Sequence, residues 1–386
     1  MTAHILTPKH MLIGGGARRH LGALLGDLGL SKPLIVTDPL MVKLEKVAEL
    51  REILKADGMS ADVFADTVPD PTDLVVEAGV ACLNKGDYDC LIALGGGSPI
   101  DTAKAIALLH RSGGRIRDYK VPHVVRAQGL PIIAIPTTAG TGSEVTRFTI
   151  ITDSASDEKM LISGPGCLPV AAIVDYELTF SVPFRTTADT GIDSLTHAIE
   201  AYVSRKANLY SDIFAKSAIT RISKYLRLAC HEPNNPQARE QMMLGALEGG
   251  IAFSNASVAL VHGMSRPIGA FFHVPHGLSN AMLLPQVTAF SAEAALDRYA
   301  DCARFAGVAD DNSDDRAAVE QLITSLKELN QDLKVPSPRE FGIDAERYKS
   351  LLPTMADQAI ASGSPGNNPR IAQKHEIVSI YEQIFG

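Results

Sequence analysis

The chain has 386 residues, 46% hydrophobic and 21% charged, a composition that describes a folded protein with room for two cores rather than a disordered one. Its net charge of −8 excludes a general attraction to nucleic acid or to anionic membrane surfaces. No apolar run is long enough to span a bilayer, residues 1–8 lack the charged-then-apolar order of a signal peptide, and the five scattered cysteines (Cys82, Cys90, Cys167, Cys230, Cys302) form no CxxC pair. The expectation is a reduced, cytoplasmic protein with neither a nucleic-acid nor a membrane partner.

From residue 10 to about 178, short β-branched runs alternate with amphipathic stretches, the pattern of parallel strands joined by crossover helices. Residues 33–38 read as a buried strand ending in the carboxylate of Asp38. Residues 40–57 read as helical, 61–64 as a strand, and 70–84 as a turn leading into a helix. The next strand, 88–94, runs into Gly95-Gly96-Gly97-Ser98-Pro99-Ile100-Asp101, which opens a helix through Leu109. Glycines allow a phosphate close to the backbone, and the helix N-terminus beyond them offers free N–H groups and a positive dipole end. Ser98 is placed to cap that helix, with Pro99 first and Asp101 in the first turn. A well-capped turn with no ligand is the competing reading, and it is the one that applies to Gly14-Gly15-Gly16.

A further strand, 131–135, leads into a second glycine-rich stretch, Pro136-Thr137-Thr138-Ala139-Gly140-Thr141-Gly142-Ser143-Glu144, whose hydroxyls and glycines suit a pyrophosphate and a ribose. Asp38 is placed to accept from an adenosine ribose 2′-hydroxyl, and its charge would repel a 2′-phosphate, so NAD is favoured over NADP. The alternative for Asp38 is a turn residue before Pro39. The expected architecture here is an α/β dinucleotide-binding domain over residues 1–179, with a Rossmann-like parallel sheet.

Beyond about residue 188 the periodicity becomes 3.6 and strand signals are few, which predicts an all-helical domain over residues 180–386. Asp193 and His197, four apart, share one helical face. Together with His262 and His276 they offer one oxygen and three nitrogens, a set that suits Zn or Fe(II). Taken alone, Asp193 and His197 also read as an ordinary surface pair.

These stretches, GGGSPIDTAK at 95–104, PTTAGTGSE at 136–144, Gly191 to Tyr202 and Pro275-His276-Gly277, with Asn368-Pro369-Arg370 behind them, occur in order. Across nearly its whole length the chain resembles the iron-containing (group III) alcohol dehydrogenases. The resemblance implies a dehydroquinate synthase-like architecture, with metal and nicotinamide in a cleft between the two domains. It implies a homodimer or larger assembly acting on a small alcohol or aldehyde. It makes Asp193, His197, His262 and His276 the metal ligands and puts Gly96 and Gly97 on the pyrophosphate, with Ser98 and Asp101 beside them. Asp38 falls on the ribose, and Thr137, Thr138, Thr141 and Ser143 surround the cofactor. Lys159 and Leu178 match further cofactor positions, and Phe148 a cavity-lining one.

Two residues near the ligands carry expectations of their own. Many members of the family have a histidine four residues after the third ligand, where this chain has Arg266. An arginine there suits a substrate with an anionic group beside its alcohol, or else makes a structural ion pair with an acid on the Asp193 helix. His273, three residues before His276, is placed to relay a proton or to lie on the surface. The competing functions are an NAD- and metal-dependent lyase of the dehydroquinate synthase type, a hydroxy-acid dehydrogenase, and a metal hydrolase that would leave the glycine loops unexplained.

Overall fold

The computed structural model describes residues 2–386 and divides into two compact units, Ile5–Ser181 and Val182–Gly386, the latter together with residues 2–4. In the first unit, β1 (His10–Ile13), β2 (Pro33–Val36), β3 (Asp62–Phe64), β4 (Cys90–Gly95), β5 (Ile132–Pro136) and β8 (Ala171–Val174) form one parallel sheet, in the order β1-β8-β5-β4-β2-β3. The crossovers carry α1 (Leu21–Asp27), α2 (Pro39–Lys43), α3 (Lys46–Ala56), α4 (Asp73–Leu83) and α5 (Gly97–Ser112).

β2, β4 and β5 are buried at every position, as their unbroken apolar runs require when both faces of a sheet are covered. Side chains alternate between the faces. Leu34, Val36, Leu91, Ala93, Ile132 and Ala134 pack with α4 and α5, whereas Ile35, Cys90, Ile92, Leu94, Ile133 and Ile135 pack with α1 and α3.

The chain leaves β2 toward β3 on one side and returns to β4 on the other, so the strand order reverses between β2 and β4. A crevice outside the carboxyl ends of the strands at such a reversal is where open α/β sheets bind ligands. Register brings the sequence-marked residues to that end. Val36 pairs with Ala93, and Gly95 pairs with Pro136. Thr37 Oγ1 donates to Leu94 O at 2.8 Å and Thr137 N to Gly95 O at 2.9 Å, which continues the alignment one residue past the ladder. Beyond β5 the chain forms an antiparallel hairpin, β6 (Phe148–Asp153) and β7 (Glu158–Ser163).

The second unit is helical: α6 (Phe184–Val203), α7 (Leu209–His231), α8 (Pro236–Ala256), α9 (Leu260–Phe272), α10 (His276–Ser291), α11 (Leu296–Phe305), α12 (Asp315–Asp332), α13 (Ala345–Ala361) and α14 (Lys374–Ile384). Every residue of α6 from Gly191 to Val203 is buried. The surface-pair reading of Asp193 and His197 is therefore wrong, because their helix lies inside the unit. Among the described residues, no single helix is long and apolar enough to cross a membrane.

Candidate metal centre and nucleotide crevice

Three helices of the second unit bring the ligand candidates together. Asp193 and His197 project from one face of α6, His262 from the first turn of α9, and His276 is the first residue of α10. Gly277 permits the approach of α10 to α6, since a Cβ there would stand 2.4 Å from Asp189 O. One donor atom each from Asp193, His262 and His276 lies within 4.8 Å of the others. Asp193 Oδ1 is 3.4 Å from His262 Nε2, 3.8 Å from His276 Nε2 and 3.9 Å from His197 Nε2. The His197 ring is stacked between Phe253 and His262, with centroids 4.2 and 4.5 Å away.

Two residues that sequence reasoning missed complete the arrangement. Glu200, two turns beyond Asp193 on α6, accepts from Val261 N (2.6 Å), Ala259 N (2.9 Å) and His262 Nδ1 (2.6 Å). With Nδ1 carrying the proton toward Glu200, His262 turns the Nε2 lone pair toward Asp193, as a ligating imidazole with an outer carboxylate does. Asn280, one turn after His276, donates from Nδ2 to Asp193 Oδ1 at 2.6 Å, and the same nitrogen lies 3.1 and 3.3 Å from His262 Nε2 and His276 Nε2. Its Oδ1 is buried without a hydrogen-bond partner. Three acceptors from three helices thus face one electropositive N–H group, and that is the test of whether the set fits a cation. The signal for Glu200 was present in the sequence, as a carboxylate seven residues after Asp193 and so on the same face of its helix. Nothing marked Asn280.

Charge balance points the same way. Neither Asp193 nor Glu200 has a lysine or arginine nitrogen within 4.0 Å among the described residues, and their ion-pair partners are imidazoles. Burial opposes ionisation of Asp193, yet His197, His276 and His262 outweigh it and hold its carboxyl well below the usual range. Burial likewise disfavours a charged His262, but Glu200 and Asp193 push it up to about 9. The cluster is an electrostatic sink for positive charge, and a divalent cation would balance its two buried carboxylates.

In the first unit, the nucleotide candidates line the ends of β2, β4 and β5. Gly95 has φ 145°, and a Cβ there would lie 2.6 Å from Pro99 Cγ, so only glycine serves at this turn. Its ideal Cβ position is also 3.3 Å from Asp38 Oδ2, which puts Asp38 beside the glycine turn. Asp38 caps α2 through Met41 N at 2.9 Å, so the turn role and a place at the crevice hold together. Thr138 and Thr141 stand over Gly96 and Gly97.

Several details depart from expectation. Helix α5 starts at Gly97 with Gly96 as its cap, so Ser98 is inside the first turn and does not cap it. Ser143 and Asp101 are engaged internally: Ser143 Oγ donates to Asp101 Oδ1 at 2.6 Å, and Ile150 N to Asp101 Oδ2 at 2.9 Å. Both meet the buried Lys104, whose ammonium donates to Phe148 O (2.7 Å), Ser143 Oγ (3.0 Å), Thr146 O (3.1 Å) and Thr146 Oγ1 (3.2 Å). This network joins the helix of the first glycine stretch to the loop of the second. Lys159 pairs with Asp70 at 2.8 Å, and Leu178 is packed in the core with α1 and α3. His273 is exposed and ends α9 with φ 54°, a left-handed cap, and no hydrogen bond joins it to His276. The ion pair imagined between Arg266 and the Asp193 helix is not formed, as no carboxylate lies within 4.0 Å of its guanidinium among the described residues.

Glu144, at the end of the second stretch, is 2% exposed, and its Oε2 lacks a partner. Burial pushes its carboxyl up to about 7, against 4.5 in an open chain. Between those values the folded state holds a proton that the unfolded state has lost. Stability is therefore full below about 4.5 and declines as pH rises through about 7. Glu144→Gln should remove a loss of about 3 kcal/mol across this window. Urea unfolding at pH 5 and pH 8 measures it, and a wild-type-to-variant difference that does not change with pH would sink the assignment.

The two units define a protein that pairs a nucleotide crevice with a cation-accepting donor set. Comparison with known proteins gives the class. Residues 8–176 match the family model for iron-containing alcohol dehydrogenase, and residues 187–385 match that for the C-terminal part of the Fe-containing alcohol dehydrogenase family. The chain is 37% identical to the NAD-dependent methanol dehydrogenase of Bacillus methanolicus, over 97% of each chain. It is 36% identical to the lactaldehyde reductase of Escherichia coli K12, over 94% of this chain and 95% of that one. The crystal structure of a 1,3-propanediol oxidoreductase superposes with a TM-score of 0.95 at 34% identity, covering all of both chains. The protein belongs to the iron-containing alcohol dehydrogenase family and is an oxidoreductase.

Proposed function

We propose that this protein is an NAD(H)-linked, metal-dependent alcohol dehydrogenase and aldehyde reductase whose metal is held by Asp193, His197, His262 and His276. The observation that carries this reading is the convergence of Asp193, His262 and His276 on the Asn280 amide, with no lysine or arginine nitrogen within 4.0 Å of Asp193 among the described residues. Fe(II) is the expected metal, and Zn suits the same donors. Asp38 takes the adenosine ribose, Gly96, Gly97, Thr137, Thr138 and Thr141 surround the pyrophosphate, and Lys159 and Leu178 supply further contacts. Ser143 and Asp101 act by fixing the second loop. When bound, the metal supplies Lewis-acid polarisation of the substrate oxygen, and the nicotinamide supplies or takes the hydride.

The chain's own residues prepare that chemistry. Glu200 sets the His262 tautomer, and stacking on Phe253 and His262 fixes the His197 ring. Burial of Asp193, His197 and His262 keeps bulk water off three of the four ligands, and the His276 side chain, 35% exposed, leaves the fourth side open. The assembly is a homodimer or larger oligomer. It acts in the cytoplasm, a location that the scattered free cysteines support.

The test is NADH oxidation with a panel of aldehydes by protein reconstituted separately with Fe(II) and Zn. Metal-stripped protein with full activity would end the proposal. For coenzyme choice, Asp38→Asn keeps a cap for Met41 N while removing the charge. It should cut the NADH-over-NADPH preference roughly ten- to hundredfold, the scale of one unit-charge repulsion near a protein surface. Equal use of both coenzymes by the wild type would remove this role from Asp38.

A further inference from the structure

Helix α9 is buried from Leu260 to Ser265 and again from Pro267 to Gly269, and Arg266 between them keeps partial access to solvent. Its guanidinium makes no hydrogen bond and has no carboxylate within 4.0 Å among the described residues. Guanidinium carries five N–H donors in a planar fork. Those of Arg266 are not among the buried unpartnered atoms, so they stay open to water or to a ligand. Burial depresses its ionisation to about 10, and the acid whose charge reaches it is Glu200. Glu200 does not close the gap: its oxygens accept from Ala259 N, Val261 N and His262 Nδ1, and none lies within 4.0 Å of the guanidinium.

The placement connects this charge with the metal set. His262 and Arg266 are four apart on one continuous helix, which runs through Pro267 to Phe272. They therefore share a face with Cβ atoms about 5–6 Å apart. Side chains on a helix lean toward its N-terminus, so the Arg266 stem is directed back over the turn that carries His262. An accessible, unmatched fork one turn from a ligand suits a short molecule with a reacting oxygen at one end and a planar or tetrahedral oxyanion at the other.

Resting on the proposed aldehyde reductase reading, we propose that Arg266 is a specificity residue and that the physiological substrate is a short aldehyde or alcohol bearing a carboxylate, sulfonate or phosphonate. The anion supplies the acceptors that the fold does not.

The test uses metal-loaded full-length protein and matched aldehydes: succinic semialdehyde, sulfoacetaldehyde and phosphonoacetaldehyde against butyraldehyde and propionaldehyde. Wild type should show higher kcat/KM on at least one anionic member than on the neutral pair, which also identifies the oxyanion. In Arg266→Gln the anionic-to-neutral ratio should fall roughly ten- to hundredfold, the range for a lost charge-assisted contact. Calorimetric binding of ethanesulfonate to the metal-loaded NADH complex should weaken in parallel. A wild type without anionic preference, or a ratio unmoved in Arg266→Gln, overturns the proposal. Arg266→Lys, which keeps the charge but not the fork, should fall between the two and serves if Arg266→Gln does not fold. If no aldehyde of either series is turned over, the reductase reading fails, and ethanesulfonate binding still decides the role of Arg266.

Discussion

His262→Ala is expected to abolish metal-dependent turnover, a loss of roughly a thousandfold or more, because metal catalysis contributes several kcal/mol and the site would lose a donor. The same variant should bind NADH within about twofold of wild type, a margin of about 0.4 kcal/mol that sites in separate units leave room for. The chain has no tryptophan, so the enhancement of NADH's own fluorescence reports binding against a clean background. Metal content measured on the same sample separates loss of the ion from loss of chemistry. Glu200→Gln should be milder, roughly ten- to hundredfold in metal affinity, as expected for a partner that orients a ligand. Undiminished turnover by His262→Ala would take the metal out of the reaction.

Lys104→Met should destabilise the α/β unit by about 3–5 kcal/mol, the cost of breaking a buried charge network from one side. Methionine fills much of the volume but donates nothing. Ser143 Oγ, Thr146 O and Oγ1, and Phe148 O would lose their shared donor, and Asp101 would lose the positive charge 3.9 Å away. Because Ser143 and Thr146 lie in the loop between β5 and β6, NADH affinity should fall along with the urea midpoint. With two units present, the transitions should be followed separately rather than fitted as one. A midpoint matching wild type would show that Lys104 is not what ties the two glycine stretches together.

Much of this protein was legible before folding was considered. Apolar runs such as Leu91 to Leu94, ending in Gly95, state their strand and their turn locally, since side-chain alternation and glycine's freedom are properties of the chain itself. The i,i+4 spacing of Asp193 and His197 likewise needs only a helix to become a shared face. The resemblance added the long-range pairing of those residues with His262 and His276, which spacing alone does not contain.

What the sequence by itself determined, then, was the kind of unit each half forms and most of the residues that converge in it. Only the tertiary structure decided how those residues are used. Asp193 became a buried charge rather than a surface one, Asp101 and Ser143 became partners of Lys104, and Glu200 accepted from Ala259 N, Val261 N and His262 Nδ1 rather than from Arg266. Burial and hydrogen-bond partnership depend on neighbours tens of residues distant in the chain, and no local periodicity records which acceptor a buried donor will meet.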